Sequence, residues 1–248
     1  MNQPLLKVEG LKKAYGAIQA VGGVSFQVDP GEIFGVIGPN GSGKTTLFNS
    51  MLGQITPDEG RIELKGEDVT QLGPLALNRR GIGRTFQTLQ VFGKMTVRDN
   101  LIVAAQEHQG TLFSRMFAPS ESGLGDKADA LIEQFHIGHV AHKKAGELSY
   151  GQQKLVDIAM AFMSAPDLIL LDEPCAGVNP RLVGEISRLL KRLNETRGGS
   201  FVVIEHNMDF VMGLCHRIMV MVEGQVLRIG TPEEIRNDEQ VLDAYLGS

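Results

Sequence analysis

The run Gly38-Pro39-Asn40-Gly41-Ser42-Gly43-Lys44-Thr45 constrains the fold more than any other part of the sequence. It follows Ile33–Ile37, an apolar stretch that predicts a strand buried on both faces, and it precedes a helix expected to begin near Lys44. Strand, glycine-rich turn and helix in that order meet the spacing G-x-x-x-x-G-K-[ST] of a phosphate cradle. Glycines let successive backbone N–H groups converge on phosphate oxygens, and the helix N-terminus adds a favourable dipole. Within such a cradle Lys44 bridges the β- and γ-phosphates, the Thr45 hydroxyl holds Mg²⁺, and Thr46 donates to the α-phosphate. A bare glycine-rich βα turn is the alternative, and the strand–loop–helix context argues against it.

The rest of the chain supplies a matching frame. Leu5–Glu9, Val24–Val28 and Arg61–Leu64 read as short strands, with turns at Asp29-Pro30-Gly31-Glu32 and Lys65-Gly66-Glu67-Asp68. From about Thr88 to Ala165 the spacing becomes helical, with helices expected over Val97–Gln106 and Ala128–Phe135 and a loop around Pro119–Gly125. Strand chemistry returns at Leu168–Leu171 and Phe201–Ile204, so apolar strands alternate with helices, as in a parallel sheet covered on both faces. Val220–Leu227 reads as a hairpin turning at Glu223-Gly224. Thr231, Pro232 and Glu234 then form the cap, first position and capping-box partner of a last helix.

With 248 residues, 42% of them hydrophobic, the chain can bury the core of one large domain or two intimate lobes. That apolar content and a net charge of only -5 exclude a disordered chain and argue against a nucleic-acid partner. No apolar run approaches the roughly 20 residues that span a bilayer, and the start lacks the basic and apolar regions of a signal peptide. Two Cys make no disulfide framework, so a reducing cytosol is the expected compartment. The 30 glycines have no collagen-like period, and they are expected at turns and close backbone approaches.

A second constellation is Leu168-Ile169-Leu170-Leu171-Asp172-Glu173-Pro174. Asp172 stands at the carboxyl end of a buried strand, where open α/β sheets bind ligands, and suits Mg²⁺. Glu173 follows it and can polarise an attacking water as general base.

With these two elements, Leu148-Ser149-Tyr150-Gly151-Gln152-Gln153 makes the chain resemble the ATP-binding subunits of ABC transporters over almost its whole length. The resemblance implies a P-loop NTPase core of RecA-like α/β type, with an antiparallel β subdomain and an inserted α-helical signature subdomain. Residues 1–87 and 166–248 would form the nucleotide-binding lobe and residues 88–165 the helical one. It implies hydrolysis of ATP to ADP and phosphate, with Mg²⁺, across two sites shared by two subunits. Ser149, Tyr150, Gly151 and Gln152 would face the γ-phosphate of ATP held by the opposite subunit, with Ser149 also capping its helix. Tyr15 occupies the position that stacks on adenine, Gln87 the Q-loop position at Mg²⁺ and water, and His206 the switch position at the γ-phosphate. The chain departs from the family's commonest pattern at Tyr150, where Gly is usual, and at Asn179, where the D-loop commonly ends in Asp. Asn cannot act as an anion there.

Both departures recur in the ATPases of branched-chain amino-acid importers, which the chain also resembles at Gly81–Gln87, Met95–Leu101, Gly230–Asn237 and Ala244-Tyr245-Leu246-Gly247. That likeness implies integral-membrane permease subunits as partners, a sister or identical ATPase in a nucleotide-sandwich dimer, and, indirectly, a periplasmic or lipid-anchored substrate-binding protein. The expected location is the cytoplasmic face of the inner membrane. Leu89, Val91, Phe92 and Met95 look exposed and are expected to line the groove for a permease helix. A lipid- or lipopolysaccharide-extracting cassette shares Gly81-Ile82-Gly83 and Gly177-Val178, but its Q-loop flank usually lacks Arg-Thr-Phe-Gln. The signature segment argues against a kinase, and the absence of a long coiled-coil insert against a DNA-repair ATPase. His136, His139 and His142 are not read as a zinc site, because Gly138 interrupts them and no Cys or carboxylate completes a set. Cys175, Cys215, Met208, Met212, Met219 and Met221 are expected to pack in the core.

Overall fold

The computed structural model of the chain describes residues 3–85, 89–106 and 121–246. Its first half contains β1 (Leu6–Tyr15), β2 (Ile18–Val28), β3 (Ile33–Ile37), α1 (Lys44–Met51), β4 (Glu59–Leu64), β5 (Glu67–Asp68), α2 (Pro74–Arg79), β6 (Ile82–Arg84), α3 (Val97–Gln106) and α4 (Glu121–Gln134). The second half contains α5 (Tyr150–Ala161), β7 (Leu168–Asp172), α6 (Pro180–Arg197), β8 (Ser200–Ile204), α7 (Met208–Leu214), β9 (Arg217–Val222), β10 (Gln225–Gly230), α8 (Pro232–Arg236) and α9 (Glu239–Leu246). The strands form two sheets. One runs β10-β9-β3-β8-β7-β6, parallel except for the β9–β10 hairpin, and the other is the antiparallel β2-β1-β4-β5.

Alternation along the central strands produces the layers. Phe34, Val36, Leu168, Leu170, Val202, Ile204, Met219 and Met221 face the antiparallel sheet and α1, in one core. Their neighbours Ile33, Ile37, Ile169, Leu171, Phe201, Val203, Ile218 and Val220 face the helices, in another. Each strand therefore feeds two cores, which is why these segments are apolar at every position rather than at every second one. The helical segment contributes Val97, Leu101, Leu131, Phe135 and Val156 to that second core, so it packs on the main sheet's helical face. Cys175 and Cys215 are buried in the same core, Met208 and Met212 pack against it, and burial pushes the Cys215 thiol up to about 12.

Several boundaries differ from those read in the sequence. The expected loop at 119–125 lies partly outside the described residues, and from Glu121 onward the chain is helical. Leu124, Ala128 and Leu131 fall on one face of α4 and pack inward, while Gly125 leaves room for the Arg98 guanidinium, which pairs with Asp129 at 2.7 Å. β1 continues past Glu9 to Tyr15, and β2 begins at Ile18 rather than near Val24. A register shift at Gly10 and cross-strand ion pairs of Lys12 with Glu59 and Lys13 with Asp58 hide the apolar alternation there. Lys65-Gly66 does turn, both residues at positive φ, but Glu67–Asp68 returns as a strand. His136 contacts Arg192 at 2.6 Å, and no group of three metal-ligating side chains occurs among the described residues.

Candidate active site

The cradle is assembled from backbone that only glycine tolerates. Gly41 and Gly43 have φ of 80° and 95°, and a Cβ on Gly43 would lie 2.1 Å from the Ala20 carbonyl of β2. Gly43 caps α1, which begins at Lys44 as expected and carries no acidic residue in its first turn to compete for its N-terminal field. The Lys44 Nζ donates to the carbonyls of Gly38 at 2.8 Å and Pro39 at 2.9 Å, so the loop folds over its own cation. Burial holds this lysine below the usual ammonium range, and the nearby Glu173 carboxylate pulls it back. Thr45 is exposed and Thr46 half-buried at the helix start. Gly43 therefore brings the cradle against β2, which pairs at Ile18 with Tyr15. Tyr15 itself is 50% exposed, with Lys13 above its ring at 5.9 Å.

Opposite Lys44 stand the carboxyl ends of β7 and β8. The Asp172 amide donates to the Thr85 hydroxyl at the end of β6, at 3.4 Å. Glu173 has a left-handed backbone, φ 45°, a strained conformation for a non-glycine residue, and its amide is tied to the Ile204 carbonyl at 2.9 Å. That turn brings Glu173 Oε1 to 3.7 Å from His206 Nδ1. Burial, followed by the like charge of Glu173, raises the Asp172 carboxyl above its ordinary range, and the buried Lys154 opposes the shift. Gln87 lies outside the described residues.

Two groups that sequence reading passed over hold this edge together. Glu205, almost fully buried, accepts the amides of Cys175 at 2.7 Å, His206 at 3.0 Å and Asn207 at 3.1 Å. It thereby fixes both the loop after Glu173 and the backbone of His206. Its position was a usable signal, since a carboxylate that ends an apolar parallel strand lies where ligands bind. Lys154 is completely buried in α5, and its Nζ has no hydrogen-bond partner among the described residues. It acts electrostatically on Asp172, Asp157 and Cys175 alike. Five residues along from Ser149, beside the apolar run Leu155-Val156, it is visible in the sequence as a charge at a core position.

The signature segment opens α5. Ser149 is its N-cap in a full capping box: its Oγ accepts the Gln152 amide at 3.4 Å, and Gln152 Oε1 accepts the Ser149 amide at 3.1 Å. A Cβ on Gly151 would lie 2.1 Å from Leu182 Cδ2, so the Leu182 side chain of α6 packs over the space glycine leaves there. Tyr150 is 46% exposed and lies along Gly177, where a Cβ would come within 3.1 Å of its ring. Asn179 caps α6, accepting the Leu182 amide at 3.0 Å, a role Asn fills as well as Asp.

Between α2, the edge strand β6 and the helices α3 and α5 runs a groove of about 310 Å³, lined by Leu75, Arg84, Gln90, Phe92, Asp157 and Met160 among others. Of the four residues expected to be exposed there, only Phe92 is, at 44%. Val91 packs into the helical core, and Leu89 and Met95 are half-buried. Asn100 causes this turn of the chain: its Oδ1 accepts the Phe92 amide at 2.6 Å and its Nδ2 donates to the Phe92 and Thr96 carbonyls at 3.2 and 2.8 Å.

Mg²⁺ suits this donor set. One hydroxyl, one raised carboxyl and a phosphate surface are its usual partners, and a cation would relieve the charge crowding of Asp172, Glu173 and Glu205. No helix among the described residues is long and apolar enough to cross a membrane.

Comparison with known proteins places the fold and the family. Residues 21–176 match the family model described as ABC transporter, and residues 229–248 match one described as branched-chain amino acid ATP-binding cassette transporter. The chain is 38% identical to the high-affinity branched-chain amino acid transport ATP-binding protein BraF of Pseudomonas aeruginosa, over 100% of this chain and 99% of that one. Among solved structures it is similar to the ADP conformation of an ATP-binding cassette of an ABC transporter, with TM-score 0.89 and 37% identity over 100% of both chains. It is also similar to the dimeric post-hydrolysis state of a cassette bound to ADP and Pi, with TM-score 0.79 and 26% identity over 92% of this chain and 98% of that one.

Proposed function

The chain belongs to the ABC transporter family of ATP-binding cassettes, and from that premise we propose that it is the ATP-hydrolysing motor of an importer for branched-chain or related amino acids. The observation that carries the catalytic part is Glu173, turned by its left-handed backbone to within 3.7 Å of His206 and into the electrostatic reach of Lys44. The substrate class is supported by the full-length likeness to BraF and by the match of residues 229–248.

On this reading the amides of residues 41–46 and the Lys44 ammonium bind the polyphosphate, with Tyr15 beneath the adenine. Glu173 takes the proton of the attacking water, and His206 orients the γ-phosphate with Gln87. Thr45, Gln87 and Asp172 would hold Mg²⁺, whose charge neutralises developing negative charge on the phosphates. Ser149, Tyr150, Gly151 and Gln152 complete the site of a second subunit, sister or identical, and Asn179 lies beside that junction. Residues 88–165 form the lobe that engages an integral permease through the groove at Phe92. A substrate-binding protein on the far side of the membrane delivers cargo, which this subunit does not touch.

Glu173→Gln is the deciding variant. It should bind ATP with near-native affinity, lose at least about a hundredfold in turnover, and accumulate as a dimer on size exclusion with ATP. Near-normal turnover would remove Glu173 from the role of base.

A further inference from the structure

Tyr15, assigned above to the adenine, is open to solvent, and its cross-strand partner Ile18 is 71% exposed. Ile18 lies two residues before Ala20, whose carbonyl is packed against Gly43 of the cradle. The two side chains thus form an apolar spot at the tip of the β1–β2 hairpin, close to where a nucleotide's phosphates would sit. An exposed ring at a hairpin tip samples several rotamers unless groups outside the hairpin hold it.

Asp58, immediately before β4, supplies that hold. Its Oδ1 accepts the Lys13 ammonium at 2.7 Å, and its Oδ2 accepts the Ala14 amide at 2.7 Å. Its own amide donates to the Lys12 carbonyl at 2.8 Å. One residue therefore ties down the three positions that precede Tyr15. It also anchors the lysine whose Nζ lies 5.9 Å from the centre of the Tyr15 ring. The Lys13 side chain is only 18% exposed, so this cation is packed in place rather than free in solvent. Both accepted bonds, that of Lys13 first and then that of Ala14, hold the Asp58 carboxyl below its ordinary range.

We propose that Asp58 is a positioning residue for nucleotide binding: through Ala14 and Lys13 it holds the Tyr15 ring in the orientation that receives the base. A ring already ordered loses no rotamer freedom on binding, so the gain appears in affinity and not in the chemical step. The bonds of Asp58 run to β1 and not to the cradle, so the phosphates of a nucleotide should be indifferent to it. The proposal rests on the reading of Tyr15 as the adenine platform.

The test is steady-state ATPase kinetics on the full chain, with inorganic triphosphate as a competing ligand that has no base. Asp58→Ala should raise the KM for ATP about threefold to tenfold, the loss of one net hydrogen bond. Its kcat, and the inhibition constant of triphosphate, should stay within about twofold of wild type. In a Tyr15→Ala background, where the ring is gone, Asp58→Ala should add less than about twofold to the KM. An unchanged KM for Asp58→Ala, an equal rise in the triphosphate constant, or full additivity with Tyr15→Ala would overturn the proposal. Tyr15→Ala alone separates it from the underlying reading. If Tyr15→Ala raises the KM while Asp58→Ala does not, only the role of Asp58 is lost; if Tyr15→Ala leaves the KM unchanged, the adenine platform itself is misassigned.

Discussion

Asp157 offers the sharpest quantitative test of how α5 is built. Its Oδ1 accepts the Gln90 amide at 3.2 Å, and its Oδ2 is buried with no hydrogen-bond partner among the described residues. Burial raises the carboxyl from its ordinary 3.8 to about 6, against the opposing pulls of the Gln90 amide and Lys154. Because the folded value exceeds the unfolded one, folding favours the protonated form. The stabilising contribution is full below the unfolded value and is lost as pH rises through about 6. At about 1.4 kcal/mol per pH decade, the whole window is worth about 3 kcal/mol, of which about 2 kcal/mol falls between pH 4.5 and 7.5. Asp157→Asn keeps the volume and the acceptor for Gln90 but cannot titrate. Urea unfolding of both proteins across that range should show the variant gaining about 2 kcal/mol on wild type as pH rises, equivalent to roughly 4–8 °C in a chain of this size. Taking the difference between the two proteins cancels the groups they share. A difference constant to within about 0.5 kcal/mol would refute the argument, because a carboxyl whose removal leaves the pH dependence unchanged cannot have a raised folded-state value.

Three further outcomes follow from the same contacts. Glu205→Ala leaves the amides of Cys175, His206 and Asn207 without their acceptor; urea unfolding should show a loss of about 2–4 kcal/mol, and kcat should fall more than KM rises, whereas a change in KM alone would deny Glu205 its hold on the switch histidine. Asn179→Ala removes the α6 cap and should cost about 1 kcal/mol, while Asn179→Asp should be near neutral by the same unfolding assay; equal losses in both would show that Asn179 does more than cap. Phe92→Asp should uncouple transport in reconstituted permease complexes while the isolated subunit keeps its ATPase rate, and a defect confined to the isolated subunit would move Phe92 out of the docking groove.

What could be read from the sequence depended on whether the cause was local. The cradle was legible because glycine at Gly38, Gly41 and Gly43 and the cation at Lys44 are dictated by spacing along one loop, and the buried strands because two-sided burial leaves an unbroken apolar run. The Thr231 capping box formed as read, its hydroxyl accepting the Glu234 amide at 3.3 Å. Distant causes stayed hidden. Lys12 and Lys13 gave no strand signal because their partners, Glu59 and Asp58, lie more than 40 residues away. Glu121–Gly125 looked like a loop because the contacts of Leu124 and Gly125 with the core and with Arg98 are tertiary. Glu205 was passed over in part for the same reason: the His206 and Asn207 amides are its chain neighbours, but its third donor, Cys175, reaches it only once β7 and β8 are adjacent.

Under the proposed function, the pieces of α5 taken together account for a site that a second subunit completes. Its N-terminal turn, Ser149 and Tyr150, is exposed and capped by its own Gln152, while the next two turns carry Lys154 and Asp157 into the interior. Lys154 acts on Asp172 at the catalytic edge, and Asp157 lines the groove at Phe92. A helix of 12 residues moves as one body, because displacing one turn breaks the i to i−4 bonds of its neighbours. Under the proposed function, a phosphate that pulls on the exposed turn from a second subunit must also shift the cation beside Asp172 and the carboxyl in the groove. Glycine at position 151 fits this view, since Leu182 of α6 occupies the place a Cβ would take, and the α6 cap Asn179 follows the Gly177 on which Tyr150 rests. On that function the coupling needs no separate relay, since the same helix meets the loop after Glu173 through Tyr150 and Gly177 and lines the groove through Asp157.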